Sequence, residues 1–251
     1  HGEAMSTARG NVVEPETVLK AYGADALRWY MFTASPPGNA RRFDPQQVGG
    51  VVRQFFLTLW NVYSFFVTYA NIDGFNPAIS PLPTYRSPLD RWILSELQVL
   101  VDGVSKDLDN YDPDSAGGRL EAFVNDLSHW YVRRSRRRFW KSESDEDKLA
   151  AHFTLHECLV TLAHLLAPFA PFLAEELYQN LVLSIRPQAP LSVHLSDFPV
   201  ADPSQVDEEL MTATRLAMKL TSLGRAARSR AGIKIRQPLS RLLVQLRQPK
   251  E

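Results

Sequence analysis

The stretch DPQQVGGVVRQFFLTLWNVYSFFV, residues 44–67, opens on Asp44-Pro45: a side-chain oxygen able to cap a first helical turn, then a residue whose missing N–H costs nothing there. Apolar residues follow at Val48, Val51, Val52, Phe55, Phe56, Leu59, Trp60, Tyr63, Phe66 and Val67, the three-and-four spacing of one helix face. The spacing predicts a long amphipathic helix with an aromatic-rich face, and it assigns Phe55, Phe56, Trp60, Phe65 and Phe66 to a core. The most apolar part, Phe55 to Ala70, is interrupted by Thr58, Asn61, Ser64 and Thr68 and falls short of the roughly 20 residues that cross a bilayer, so no membrane partner is expected.

Working outward, a Pro/Gly/Ser loop from Asp73 to Ser87 leads to a helix over Leu89–Leu108. Asn110-Tyr111-Asp112-Pro113 marks a turn, and a third helix is expected over Asp114–Lys141. A fourth covers Lys148–Leu183, with kinks at Pro168 and Pro171 where N–H donors are lost. Four long helices on short connections predict an all-α fold, an antiparallel helical bundle over residues 45–185. Residues 1–44 read as a connector with two short helices, Pro15–Tyr22 and Ala24–Ser35, the second stopped by Pro36-Pro37-Gly38-Asn39. Residues 186–251 read as a proline-punctuated linker with a short apolar alternation near Val193, a helix over Ser204–Ala231 capped by Gly232, and a small strand over Leu239–Leu246.

Composition narrows the classes. The 251 residues are 45% hydrophobic and 22% charged, values of an ordinary folded chain. The single cysteine, Cys158, excludes an internal disulfide and a cysteine-based zinc site, and with no cleavable signal ahead of the first helix the expected compartment is the cytoplasm. Cys158 lies in an apolar stretch and reads as a packed small side chain. Basic and acidic residues balance at 28 each, but six of the basic ones fall between Tyr131 and Lys141 and ten between Leu210 and Lys250, and neither stretch holds an acid. Clustering of this kind is the electrostatic footprint of a polyanion partner.

The densest cluster is Trp130-Tyr131-Val132-Arg133-Arg134-Ser135-Arg136-Arg137-Arg138-Phe139-Trp140-Lys141. On a helix each residue turns about 100°, so five arginines in six positions cannot all face solvent. Some must pair with acids inside the fold, and the others project beside aromatic rings. Guanidinium groups hold phosphates and rings stack on splayed bases, which makes Trp130, Tyr131, Arg133, Arg134, Arg136, Arg137, Arg138, Trp140 and Lys141 candidates for RNA binding. The competing reading is a solvated helix end balanced by Glu143, Asp145, Glu146 and Asp147. A second basic element, Arg225, Arg228, Arg230, Lys234 and Arg236, straddles Gly232; a helix C-terminus accounts for Arg228 and Arg230 but not for Lys234 and Arg236, which join the candidates. His152, His156 and His164 share a helical stripe, but it is apolar and lacks the acid of a metalloprotease motif, so no metal is assigned. There is no glycine-rich phosphate loop and no alternation of strands and helices, so no catalytic residue is assigned either.

Six stretches together carry a resemblance: Tyr22-Gly23-Ala24-Asp25-Ala26-Leu27-Arg28-Trp29, Trp60-Asn61-Val62-Tyr63-Ser64-Phe65-Phe66, Leu89-Asp90-Arg91-Trp92-Ile93, the Trp130–Trp140 run, Leu166-Ala167-Pro168-Phe169-Ala170-Pro171-Phe172, and Ala231-Gly232-Ile233-Lys234-Ile235-Arg236-Gln237-Pro238. In this order they resemble the carboxy-terminal part of isoleucyl-tRNA synthetase, a class I aminoacyl-tRNA synthetase. The resemblance implies a bundle that binds the anticodon stem-loop of an isoleucine-accepting tRNA, in a fragment lacking the Rossmann catalytic and editing domains and inactive alone. It also implies ATP and Mg for the full-length enzyme, with no cofactor in this fragment. The corresponding region of a valyl or leucyl enzyme, and a helical protein-interaction module, are the alternatives; Ala231 to Pro238 argues against the first. The family's Lys-Met-Ser-Lys-Ser loop would fall on Ala4-Met5-Ser6-Thr7-Ala8, where neither lysine is present. Those lysines stabilise developing phosphate charge in the family; either the first four residues are not the family's own, which explains only the first lysine, or the loop has diverged at Thr7.

Overall fold

The computed structural model describes residues 5, 7–10, 12–36, 38–39, 43–141 and 145–245. They fall into two compact units, one ending at Val206 and the other beginning at Asp207. Ala4, Ser6, Glu143 and Leu246, on which parts of the sequence reading fall, lie outside the described residues.

In the first unit, α1 (Pro15–Tyr22) and α2 (Ala24–Thr33) lead into α3 (Pro45–Val51), whose first turn is closed by the Asp44 carboxylate accepting from the Gln46 amide at 2.9 Å. Val18, Ala26, Tyr30 and Val48 form the core these three helices share. The helix read from residue 44 continues through a π-helical segment, Val52–Phe56, into α4 (Leu57–Asp73), which ends on Gly74 in the left-handed region at φ 63°. A π segment carries one extra residue in a turn and shifts every later side chain around the axis. The shift corrects one expectation: Phe55 and Phe66 are buried, whereas Trp60 is 40% exposed and lies outside the core.

α5 (Pro88–Asp109) starts from a capping box in which Ser87 and Asp90 hold each other's backbone N–H. The third helix is α6 (Pro113–Asp126), a second π segment, Leu127–Val132, and α7 (Arg133–Trp140). From the π segment onward Leu127, Tyr131, Ser135 and Phe139 are buried at every fourth residue, with Val132 buried beside Tyr131. α8 (Asp145–Leu166) packs on α4, α5 and α7. It is long and apolar enough to span a membrane by length and composition, and two-thirds of that window is buried in the bundle. Asp73 at the end of α4 accepts from the Lys148 ammonium and pairs with the His152 ring, pinning α4 to α8.

The kinks expected at Pro168 and Pro171 are a complete break: α8 stops at Leu166 and α9 (Pro171–Tyr178) restarts with Pro171 in its first turn, running on through a third π segment, Gln179–Leu183. α2 grips this break. Arg28 donates to the carbonyls of Pro168 and Phe169, while Asp25 accepts from the amides of Phe172 and Leu173 at the start of α9. Between them Trp29, fully buried, stacks on Phe55 at 4.2 Å, tilts against Phe169 and donates its indole N–H to Glu121 of α6. The alternation near Val193 is a 3-10 turn, Val193–Leu195.

The second unit is α10 (Glu208–Arg230), capped by Asp207 accepting from Leu210, followed by Gly232 at φ 66°. The amides of Gly232 and Ile233 return to the carbonyls of Ser229 and Arg228, the Schellman closure expected of that glycine. The expected strand over Leu239–Leu246 is not formed among the described residues 239–245. Leu242 and Leu243 are largely exposed, and the period-two pattern finds no neighbouring strand there to pair with.

Candidate nucleic-acid interface

The every-fourth burial of the π segment and α7 divides the basic run. Tyr131, Ser135 and Phe139 point inward, so the Tyr131 ring, a stacking candidate in the sequence, is enclosed in the bundle and closed to a base, and Phe139 meets Phe65 edge-on at 5.1 Å and His152 at 4.8 Å. Arg133, Arg134, Arg136, Arg137, Trp140 and Lys141 are exposed, Trp130 is half-buried, and Trp140 retains 66% of its surface. Arg134 lies over the Trp130 ring with its guanidinium carbon 3.7 Å from the centroid, a cation–π contact that holds both side chains along the helix surface.

Arg138 departs from the sequence reading, because it belongs to the interior. Its Nη1 and Nη2 each donate to Asp90 at 2.7 Å, one to each carboxylate oxygen, and its Nε donates to Asp147 at 2.9 Å. Asp90, with no exposed surface, also accepts from the Tyr131 hydroxyl at 2.6 Å and from Ser87. Burial raises the Asp90 carboxyl, but the hydrogen bonds and charge of Arg138, with Tyr131 and Ser87, outweigh it and hold Asp90 below its ordinary value. Burial, and then the adjacent Asp90 charge, push the Tyr131 phenol well above its usual range. The group occupies its own lone pairs and N–H donors, so Arg138 fixes α7 to α5 and α8 and has little to offer a ligand. The signal that could have located it is the Ser87-x-x-Asp90 spacing, which places a carboxylate at a helix start with acceptor capacity to spare.

Lys234 and Arg236 are exposed on the second unit. Their loop is held from within: Arg228 donates to the carbonyls of Lys234, Ile235 and Gln237, and the Gln237 amide returns to Lys234. Arg228 is thus the structural cation of this element, in keeping with its place at a helix end.

The three histidines are each engaged within the bundle. His152 faces Asp73 under the Phe75 ring, His156 donates to the Leu181 carbonyl, and His164 donates to Val160. Burial lowers both His152 and His156, and for His152 the Asp73 contact opposes that without reversing it. Cys158 is fully buried, as its apolar setting suggested.

A family model for the anticodon-binding domain of tRNA ligase matches residues 90–243, and one for class I tRNA synthetases (I, L, M and V) matches residues 1–44. The isoleucine--tRNA ligase of Dehalococcoides mccartyi is 64% identical over 98% of the chain, and that of Thermus thermophilus is 52% identical over 97%. The chain spans 24% and 23% of the lengths of these two relatives. Among solved structures, a LeuRS-tRNA-LeuAMS ternary complex from Agrobacterium radiobacter shares the fold, with a TM-score of 0.61 at 21% identity, over 82% of this chain and 23% of that one.

Proposed function

The chain belongs to the anticodon-binding domain family of tRNA ligases, and on that premise we propose that the outer face of α7 receives the anticodon stem-loop of an isoleucine-accepting tRNA. One observation carries the reading: Arg133, Arg134, Arg136, Arg137 and Lys141 are exposed beside Trp140, and the run from Tyr131 to Lys141 contains no acid. A phosphate backbone is held by such cations in any register, and an unstacked loop base finds a ring to lie on, worth about 1–3 kcal/mol per base. Trp140 is the platform. Trp130, half-buried, supports the Arg134 guanidinium that lies over its ring. Lys234 and Arg236 supply further phosphate contacts. Isoleucine specificity rests on the relatives' names, as does the proposal that the whole protein is an ATP- and magnesium-dependent ligase working in the cytoplasm. No step of that ligation is assigned to a residue of this chain.

The test is binding of isoleucine tRNA against the same transcript with a swapped anticodon, measured over a range of salt. Tighter binding of the cognate, with log affinity falling linearly in log salt, is expected. Equal affinity at every salt overturns the anticodon assignment. Affinity unchanged after reversing the exposed arginines overturns the α7 face and favours a protein partner.

A further inference from the structure

Two of the three π segments among the described residues, Val52–Phe56 and Leu127–Val132, belong to different helices yet border one cleft of about 360 Å³. π turns are rare and recur where an extra residue re-aims a side chain at a ligand. Here they supply Arg53 and Gln54 from one wall and His129 from the other; Thr58, Asn125 and Glu121 add polar groups, and Phe55 and Val124 add apolar ones. The widened turns displace Arg53, Gln54 and His129 within them and turn Thr58, just beyond the first, toward the space that Glu121 and Asn125, ahead of the second segment, also line.

The lining mixes donors and acceptors. Arg53, Gln54, Asn125 and His129 are exposed. The Thr58 hydroxyl donates to the Gln54 carbonyl and so keeps its lone pairs, and Glu121 is half-buried with one oxygen on the Trp29 indole at 3.0 Å. A bare phosphate would meet the Glu121 carboxylate. A base edge, which carries donors and acceptors side by side, matches the two amides, while Arg53 offers the cation that the attached phosphate needs. The size suits one nucleotide, near the lower end of small-molecule sites at roughly 300 Å³. His129 precedes Arg136 by seven residues, about 10 Å along the helix, a gap that a short single strand spans.

We infer that the cleft holds one unpaired nucleotide of the RNA that lies along α7, its base against the Gln54 and Asn125 amides and its phosphate on Arg53. This rests on the α7 reading above, and the experiment separates the two. Salt-dependent affinity for an isoleucine tRNA transcript is measured on the full chain and on Arg53→Gln, Asn125→Ala and Arg133→Glu/Arg136→Glu, with melting curves to confirm folding; all four positions are exposed. Arg53→Gln should shallow the slope of log affinity against log salt by about 0.7, the value for one single-strand phosphate, and Asn125→Ala should weaken binding several-fold with the slope kept. Parent-like binding by both cleft variants, with binding abolished in the α7 variant, overturns the cleft alone. Weakening in the cleft variants with the α7 variant unaffected upholds a nucleotide in the cleft and overturns its placement on an RNA that lies along α7. A parent chain that binds no tRNA at any salt overturns both.

Discussion

Arg136 and Arg138 stand two residues apart on one helix and live in different chemistries. Arg138 is nearly enclosed, forks onto both oxygens of Asp90 and reaches Asp147, whereas Arg136 is exposed. The inner arginine has exchanged water for carboxylates, and its worth is measured in folding. The outer one keeps its hydration, and on the function proposed above its worth is measured in binding. A run of one residue type therefore has no single meaning, and the register set by Leu127–Val132 sorts its members.

The sharpest way to break this contrast is Arg138→Met. Removing the cation leaves Asp90 charged and without surface, and stability should fall by about 3–5 kcal/mol in urea unfolding. A loss under about 1 kcal/mol, the scale of an exposed pair, would mean that the ion pair is not what holds α7. Next in size, Arg133→Glu with Arg136→Glu should leave the unfolding free energy in urea within about 0.5 kcal/mol of the parent. The same pair should shallow the tRNA salt slope by nearly one unit for each phosphate no longer neutralised. A triple reversal that includes position 138 would confuse the two effects, since it would unfold what it means to probe. Trp140→Ala should cost about 1–3 kcal/mol of tRNA affinity with no change in fold, checked by titration at fixed salt.

The smallest effect is a pH dependence confined to the inner side. His152 and His156 are lowered in the folded state, so the unfolded chain binds protons first and stability falls as pH drops below about 6.5. Asp90 and Asp73 are also lowered, so their contribution persists above about 3.9 and is lost as pH falls through their folded values. Urea midpoints measured from neutral pH down into the acid range should show both declines. His152→Gln should shrink the first and Asp90→Asn the second, and tracking by neither variant would sink the assignment.

The helices were legible because their signals are local: Asp44-Pro45, Asp112-Pro113 and Gly232 each mark a terminus by their own backbone chemistry. The π segments were not, because widening a turn by one residue leaves the apolar spacing almost unchanged while moving Trp60 from core to surface. The division of the arginines was foreseen in kind, since five on one helix cannot all be solvated. Which one turned inward depended on Asp90, 48 residues away in sequence, and no periodicity reaches that far. Tyr22–Trp29 and Leu166–Phe172 are separate stretches in the sequence; only the fold brings Asp25 and Arg28 onto the break between α8 and α9. The strand failed for a related reason, since two-residue alternation states a preference that only a neighbouring strand can satisfy.

Asp90 serves two masters: it closes the first turn of α5 and answers the charge of Arg138. Neither position can change alone in a lineage without passing through a buried, unanswered charge, and a simultaneous exchange of the two would forfeit the helix start. The two positions are thus locked to each other, a constraint that does not reach the exposed Arg133 and Arg136.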